Sequence, residues 1–414
     1  MESRFGVIKI SRTRISVHHI STYGMYLFLL LLPFEYPLET IGVGSILRYV
    51  GILTIGLALV DLLKEGTIKM DYRALLMVAW CAYAALSGIW SVDKANYSRY
   101  ISMYVNNALM FIAISLVPFS KSERDFIEKG LVSGVVLLLL YMTFIPGAVT
   151  QSDWQSRLTL AHNGKSILDQ NYLAALMLMA FGCQLFDLIE SKQGRFTKTL
   201  VCLAIFYYIL RTGSRSGLLG AGVIAAFCLA RGVKRRSGIV FALIFLLLLI
   251  GPAVISFLPS DLLERFSLDA MLGQTSESGG RLDIWAIAWE AIKEGSAFFG
   301  YGAGSSEYLV GLSYKENAAI HNFVIAHMVE LGLVGLSLFG AILIKIVRQL
   351  KAFGEEKLFI AFMGIIVEGL FLDLLTTKFF WSALMMVSVS ITAGNCMRRE
   401  IQNQPAKGID TTDG

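Results

Sequence analysis

About a dozen apolar stretches, most of them long enough to cross a bilayer, punctuate this 414-residue chain, and they constrain its fold more than any motif does. Inside a membrane a backbone N–H or C=O has no water to bond, so only helices and closed barrels span it. A spanning helix needs about 20 mostly apolar residues. The stretches here are continuous rather than alternating, which selects helices. Composition agrees: 16% of residues are charged, whereas soluble domains carry about 25%.

Spans are predicted at residues 22–38, 43–63, 74–90, 101–118, 129–147, 170–190, 199–213, 216–231, 238–258, 321–345, 357–375 and 379–396. The expected fold is an all-α polytopic membrane protein of about 12 transmembrane helices. Residues 1–21 are basic and polar, and no small-residue cleavage site follows the first run, so 22–38 reads as a retained span. Most of the 36 lysines and arginines then fall on the side of the N-terminus, including Arg12, Arg14, Lys234, Arg235, Arg236, Arg398 and Arg399. The positive-inside rule therefore places both termini in the cytoplasm.

This organises the chain into a cytoplasmic basic segment (1–21), spans one to nine (22–258), a long extracytoplasmic loop between spans nine and ten (259–320), spans ten to twelve (321–396) and a cytoplasmic tail (397–414). Spans seven and eight are short and meet at Thr212-Gly213-Ser214, so they are either tilted or a broken hairpin lining a cavity. Within the long loop, residues 281–292 have helical period with Trp285 and Trp289 four apart. Such a helix either lies at headgroup depth or packs on the bundle. The five cysteines lie in or beside apolar runs and show no CxxC spacing, which reads as packing rather than disulfide or metal chemistry.

Four polar clusters share the outer face in this topology: Arg157 with His162-Asn163-Gly164 and Asp169-Gln170-Asn171; Arg211-Thr212-Gly213-Ser214-Arg215-Ser216; Gly279-Gly280-Arg281; and His321-Asn322. Arg211 and Arg215 demand a reason, because membrane-edge charge is costly and the positive-inside rule disfavours arginine outside. A diphosphate ligand supplies one, since guanidinium forks match phosphate oxygens. Snorkelling, or pairing with Glu264 or Asp283, is the competing explanation. His321, where the loop enters span ten, is placed to accept a proton near neutral pH. His327 points to another face and reads as a core residue. The chain has no Asp-x-Asp, no His-x-x-x-His and no glycine-rich phosphate loop followed by lysine, so no metal site is expected.

Thr212-Gly213-Ser214-Arg215-Ser216, Gly280-Arg281-Leu282 with Trp285, Gly300-Tyr301-Gly302-Ala303-Gly304, and His321-Asn322 followed by Glu330-Leu331-Gly332 occur in that order. This set resembles the O-antigen ligase and polymerase superfamily of bacterial membrane glycosyltransferases, most strongly over 199–345. The resemblance implies glycan transfer from undecaprenyl diphosphate to an acceptor hydroxyl, either lipid A-core or another glycan. It implies an inverting reaction without metal or other cofactor, at the outer face of the inner membrane, among lipids and without a nucleic-acid partner. His321 matches the family's histidine, and Arg215 and Arg281 match its diphosphate-binding arginines; Arg211 and Arg157 are further diphosphate-binding candidates, with Asn322 and Asn171 supporting. Asp169-Gln170-Asn171 departs from the family's frequent Pro-Asn form. No residue separates ligase from polymerase. A transporter or lipid-linked oligosaccharide flippase is the alternative from another class, disfavoured by the expected lack of charge at mid-span depth.

Overall fold

The computed structural model describes residues 19–40, 45–68, 70–151, 156–191, 193–234, 276–314 and 319–402, with a few positions outside them. Its helices are α1 (Ser21–Leu31), α2 (Ile46–Glu65), α3 (Tyr72–Leu86), α4 (Lys94–Leu116), α5 (Lys121–Phe144), α6 (Gln170–Glu190), α7 (Arg195–Arg211), α8 (Arg215–Lys234), α9 (Ser276–Glu294), α10 (Ser306–Gly311), α11 (Phe323–Phe353), α12 (Glu356–Gly369) and α13 (Lys378–Gln402). A helix occupies each predicted span except 238–258, which lies outside the described residues together with the start of the long loop.

Among the described residues, seven helical segments are long and apolar enough to cross a membrane: Ile46–Glu65, Tyr72–Ile89, Lys121–Phe144, Gln170–Glu190, Arg215–Lys234, Phe323–Phe353 and Lys378–Arg398. Local signals set their ends. Asp71 and Asp169 accept backbone N–H bonds at the starts of α3 and α6, and a Ser120–Glu123 capping box opens α5. Pro33 sits in a 3₁₀ turn, Leu32–Phe34, that ends α1 after 11 residues.

The helices form two packed groups around a shared centre. α13 runs through the middle, 89% buried over its apolar window, against α4, α5 and α11. α6, 78% buried, packs with α7, α8 and α12. Close approach depends on small residues, as lipid-phase packing requires. A Cβ at Gly134 on α5 would lie 2.6 Å from the Leu30 carbonyl oxygen of α1.

At the end of the bundle where α12 begins, charges are paired. Lys357 Nζ lies 2.6 Å from Glu128 and 3.3 Å from Asp187, Arg231 Nε is 2.7 Å from Glu190, and Arg124 reaches Glu355 at 2.5 Å. These pairs tie α5, α6, α8 and α12 together.

Several expectations need correction. The fold is not purely helical: residues 149–166 form a small antiparallel sheet, β1 (Val149–Gln151), β2 (Leu158–His162) and β3 (Lys165–Ser166). Asn163 and Gly164 adopt φ of 51° and 74°, so His162-Asn163-Gly164 is a hairpin tip of the Asn-Gly kind, with His162 exposed. Span ten is longer than predicted and interrupted at Gly332, where φ is 62° and ψ is −167°. Span eleven stops at Gly369 rather than 375. Charge does occur deep in the bundle: Glu330 and Glu368 are both fully buried.

Candidate active site

Three chain segments meet where α7 turns into α8. Thr212 Oγ1 donates to the Ile209 carbonyl at 2.6 Å and accepts from Ser214 N at 3.2 Å, which closes the turn tightly. Ser214 Oγ accepts from Gly217 N at 3.1 Å and so caps α8, leaving Arg215 as its first residue. Arg157, just ahead of β2, donates from Nε to the Thr212 carbonyl and from Nη2 to Asn171 Oδ1, both at 3.0 Å. Asn171 N in turn donates to Asp169 Oδ1 at 2.8 Å. One arginine thus joins the α7–α8 turn to the start of α6. Arg211 goes elsewhere, lying against Tyr207 one helical turn back with Nη1 3.4 Å from its hydroxyl.

Glu368 links this knot to α12. Its side chain is fully buried, and Oε1 accepts from Ser216 Oγ at 2.8 Å. Its other oxygen has no hydrogen-bond partner among the described residues.

His321 stands at the mouth of α11. Its backbone φ is +52°, a left-handed conformation uncommon for a residue with a Cβ and often kept where function requires it. Asn322 caps α11: Oδ1 accepts from Val324 N and Ile325 N, while Nδ2 donates to the Leu370 carbonyl at 3.0 Å. The α11 entrance is therefore stitched to the chain two residues beyond Glu368. His321 Nδ1 is buried without a partner among the described residues. Burial lowers the imidazole pKa from its ordinary value, Arg281 lowers it further, and Asp169 opposes both. The neutral ring is the favoured form.

Arg281 arrives on α9, which packs on α11 through Ile284, Ala288 and Ile292. Trp285 Nε1 donates to the Ile320 carbonyl at 2.8 Å, next to His321, whereas Trp289 is exposed. The helix thus rests on the bundle with one tryptophan pinned. Arg281 and Asp169 both act electrostatically on Glu368 as well as on His321, so four ionisable groups share one neighbourhood.

The glycine motifs have a mechanical role. At the Gly332 break, Leu333 N and Val334 N donate to the carbonyls of Ala297 and Phe298, and Tyr301 N and Gly302 N donate to those of Val329 and Glu330. Four backbone bonds, each worth about 1 kcal/mol net, replace those the broken helix gives up. A Cβ on Gly300 would lie 2.4 Å from the Glu330 oxygen, and one on Gly332 would lie 2.3 Å from the Phe298 oxygen. Below the break, Glu330 accepts from Tyr104 at 2.9 Å and Ser306 at 2.7 Å, and Tyr100 donates to Glu307 at 3.0 Å. His327 is a core residue, stacked on Trp80 and accepting its indole N–H at 3.1 Å. Among the described residues no group of three or more His, Cys, Asp or Glu side chains is arranged to hold a metal ion.

The sequence model of the O-antigen ligase family matches residues 200–340, which hold the α7–α8 turn, Arg281 and His321. Through that segment the chain belongs to the O-antigen ligase superfamily. Relatives agree. A Rickettsia felis protein named "Putative polysaccharide ligase" is 26% identical over 301 residues, covering 69% of each chain. Similarly named proteins of Rickettsia conorii and Rickettsia bellii are each 24% identical, covering 67% and 70% of each chain. Arg157, Asn171, Glu368 and Asp373 lie outside the 200–340 segment. Glu368 and Asp373 belong to no sequence motif, and their signal in the chain is limited to ionisable side chains inside the apolar run 357–375.

Proposed function

We propose that this protein is a membrane glycosyltransferase of the O-antigen ligase type. It transfers a glycan from undecaprenyl diphosphate to a hydroxyl of lipid A-core, at the outer face of the bacterial inner membrane. The observation that carries this reading is the convergence of His321, Arg281 and the Arg157–Asn171–Thr212 knot beside Arg215.

The chemistry requires little else. The bond between the anomeric carbon and the diphosphate oxygen breaks, and a bond from that carbon to the acceptor oxygen forms on the opposite face, with inversion. The acceptor proton passes to neutral His321, a general-base contribution of about 100- to 10,000-fold. Arg215 and Arg281 neutralise charge that develops on the departing lipid diphosphate, a preorganised electrostatic effect. Arg157 shapes the turn that presents Arg215, and Arg211 flanks it. Asn322 fixes His321 through the helix cap, and Asn171 holds Arg157.

Purified protein supplied with an undecaprenyl-diphosphate glycan, with and without lipid A-core, tests the reading. Transfer to lipid A-core that is lost in Arg215→Ala and persists in EDTA is the expected result. Elongation of the lipid-linked glycan without lipid A-core would make the enzyme a polymerase using the same residues. No product that depends on Arg215 or His321, from folded protein, would refute glycosyl transfer and favour transport.

A further inference from the structure

A carboxylate sealed inside a helical bundle ordinarily finds partners for both oxygens, because an unsatisfied buried acceptor costs about 1–3 kcal/mol. Glu368 is fully buried, yet only Oε1 is bonded, by Ser216. Its surroundings tie it to the candidate site. Ser216 adjoins Arg215, Leu370 two residues on is bonded by Asn322, and Arg281 and Asp169 act on Glu368 and His321 alike. A second buried atom without a partner, His321 Nδ1, belongs to the same neighbourhood.

Chemistry restricts the donor that can complete Glu368. A carboxylate oxygen only accepts. A diphosphate also offers only acceptors and negative charge, so it cannot be what Oε2 awaits. The part of a lipid-diphosphate sugar that carries donors is the sugar ring, through its hydroxyl groups. We propose that Glu368 Oε2 accepts a hydroxyl of the sugar attached to the diphosphate, forming a sugar subsite beside the diphosphate arginines. This rests on the glycosyl-transfer reading. It assigns the two sides of the substrate to different residues: phosphate oxygens to Arg215 and Arg281, and a sugar hydroxyl to Glu368. A carboxylate there also repels misplaced phosphate, so it fixes which way round the donor lies.

Binding of two probes to the full-length protein in nanodiscs separates these roles: undecaprenyl diphosphate, and the same lipid bearing one N-acetylglucosamine. The informative variant is Glu368→Gln, which keeps the shape and an oxygen for Ser216 but puts a donor where the accepting oxygen was. Wild type is expected to prefer the sugar-bearing lipid. Glu368→Gln should lower that preference by roughly 10- to 100-fold, as expected for a hydrogen bond to a charged group, with bare-lipid affinity unchanged. Arg215→Ala should weaken both lipids alike. A Glu368→Gln protein that keeps the wild-type preference, or a wild type without any preference, overturns the subsite. Wild type that binds neither lipid would instead overturn the glycosyl-transfer reading itself. Should Glu368→Gln fail to fold, Ser216→Ala, which leaves the carboxylate in place but untethered, reports on the same preference; an unchanged value again overturns the subsite.

Discussion

The two ends of α12 treat charge in opposite ways. At its start, Lys357 sits between Glu128 and Asp187, and neighbouring Arg231 and Arg124 have carboxylates within 2.7 Å. At its finish, Glu368 keeps one oxygen without a partner among the described residues, close to a histidine nitrogen in the same state. Paired charge holds helices in place: its Coulomb attraction offsets desolvation and leaves little to offer a ligand. Unmatched buried polarity costs stability and is retained where a ligand supplies the match. One 14-residue helix therefore joins a structural end to a reactive end.

The sharpest way to break this contrast is His321→Ala. Transfer should fall by about 100-fold or more, with thermal stability close to wild type, because the helix cap depends on Asn322. Equal losses of stability and activity would mean that the reactive end is structural too. Next in size, Gly332→Ala places a side chain in a conformation reserved for glycine and against the Phe298 carbonyl. It should lower Tm markedly and cost transfer through displacement of the Arg281 and His321 supports, as measured by thermal unfolding and turnover together.

At the structural end, Lys357→Met strands Glu128 and Asp187. A Tm lower by several degrees is expected, while turnover per folded molecule stays within about twofold. A large loss of turnover at full stability would erase the distinction between the two ends. The smallest effect sharpens it. Asp169 holds the His321 pKa up against burial and Arg281, so Asp169→Asn should lower it further. The base must be neutral to act, so the acid limb of kcat/KM should move to lower pH. Asn still caps α6, which makes a shift to higher pH contradict the electrostatic account.

Much of this is legible in the chain. Apolar runs locate the described helices of the bundle, because burying a helix in lipid requires continuous hydrophobicity whatever the neighbours are. The Thr212–Ser216 turn, Arg281 and His321 stand out because polar residues at a membrane edge need a reason. The hairpin at 149–166 is harder to see, although Asn163-Gly164 is a turn signal, because its strands are short and the same polar residues also suit a binding site. Glu368 stays hidden because one carboxylate in an apolar run announces only its cost. Its role depends on Ser216, 152 residues away.

Local sequence determined the helices, their caps and the residue types available for phosphate and proton chemistry, because propensity, capping and hydrophobicity act over a few residues. Tertiary structure alone decided that Arg157 grips the Thr212 turn, that Gly300 and Gly332 interlock, and that Glu368 ends beside Arg281 and Asp169 with an oxygen to spare. Those are distances between remote segments. They are set when two groups of helices pack around α6 and α13, and no short window of the chain contains them.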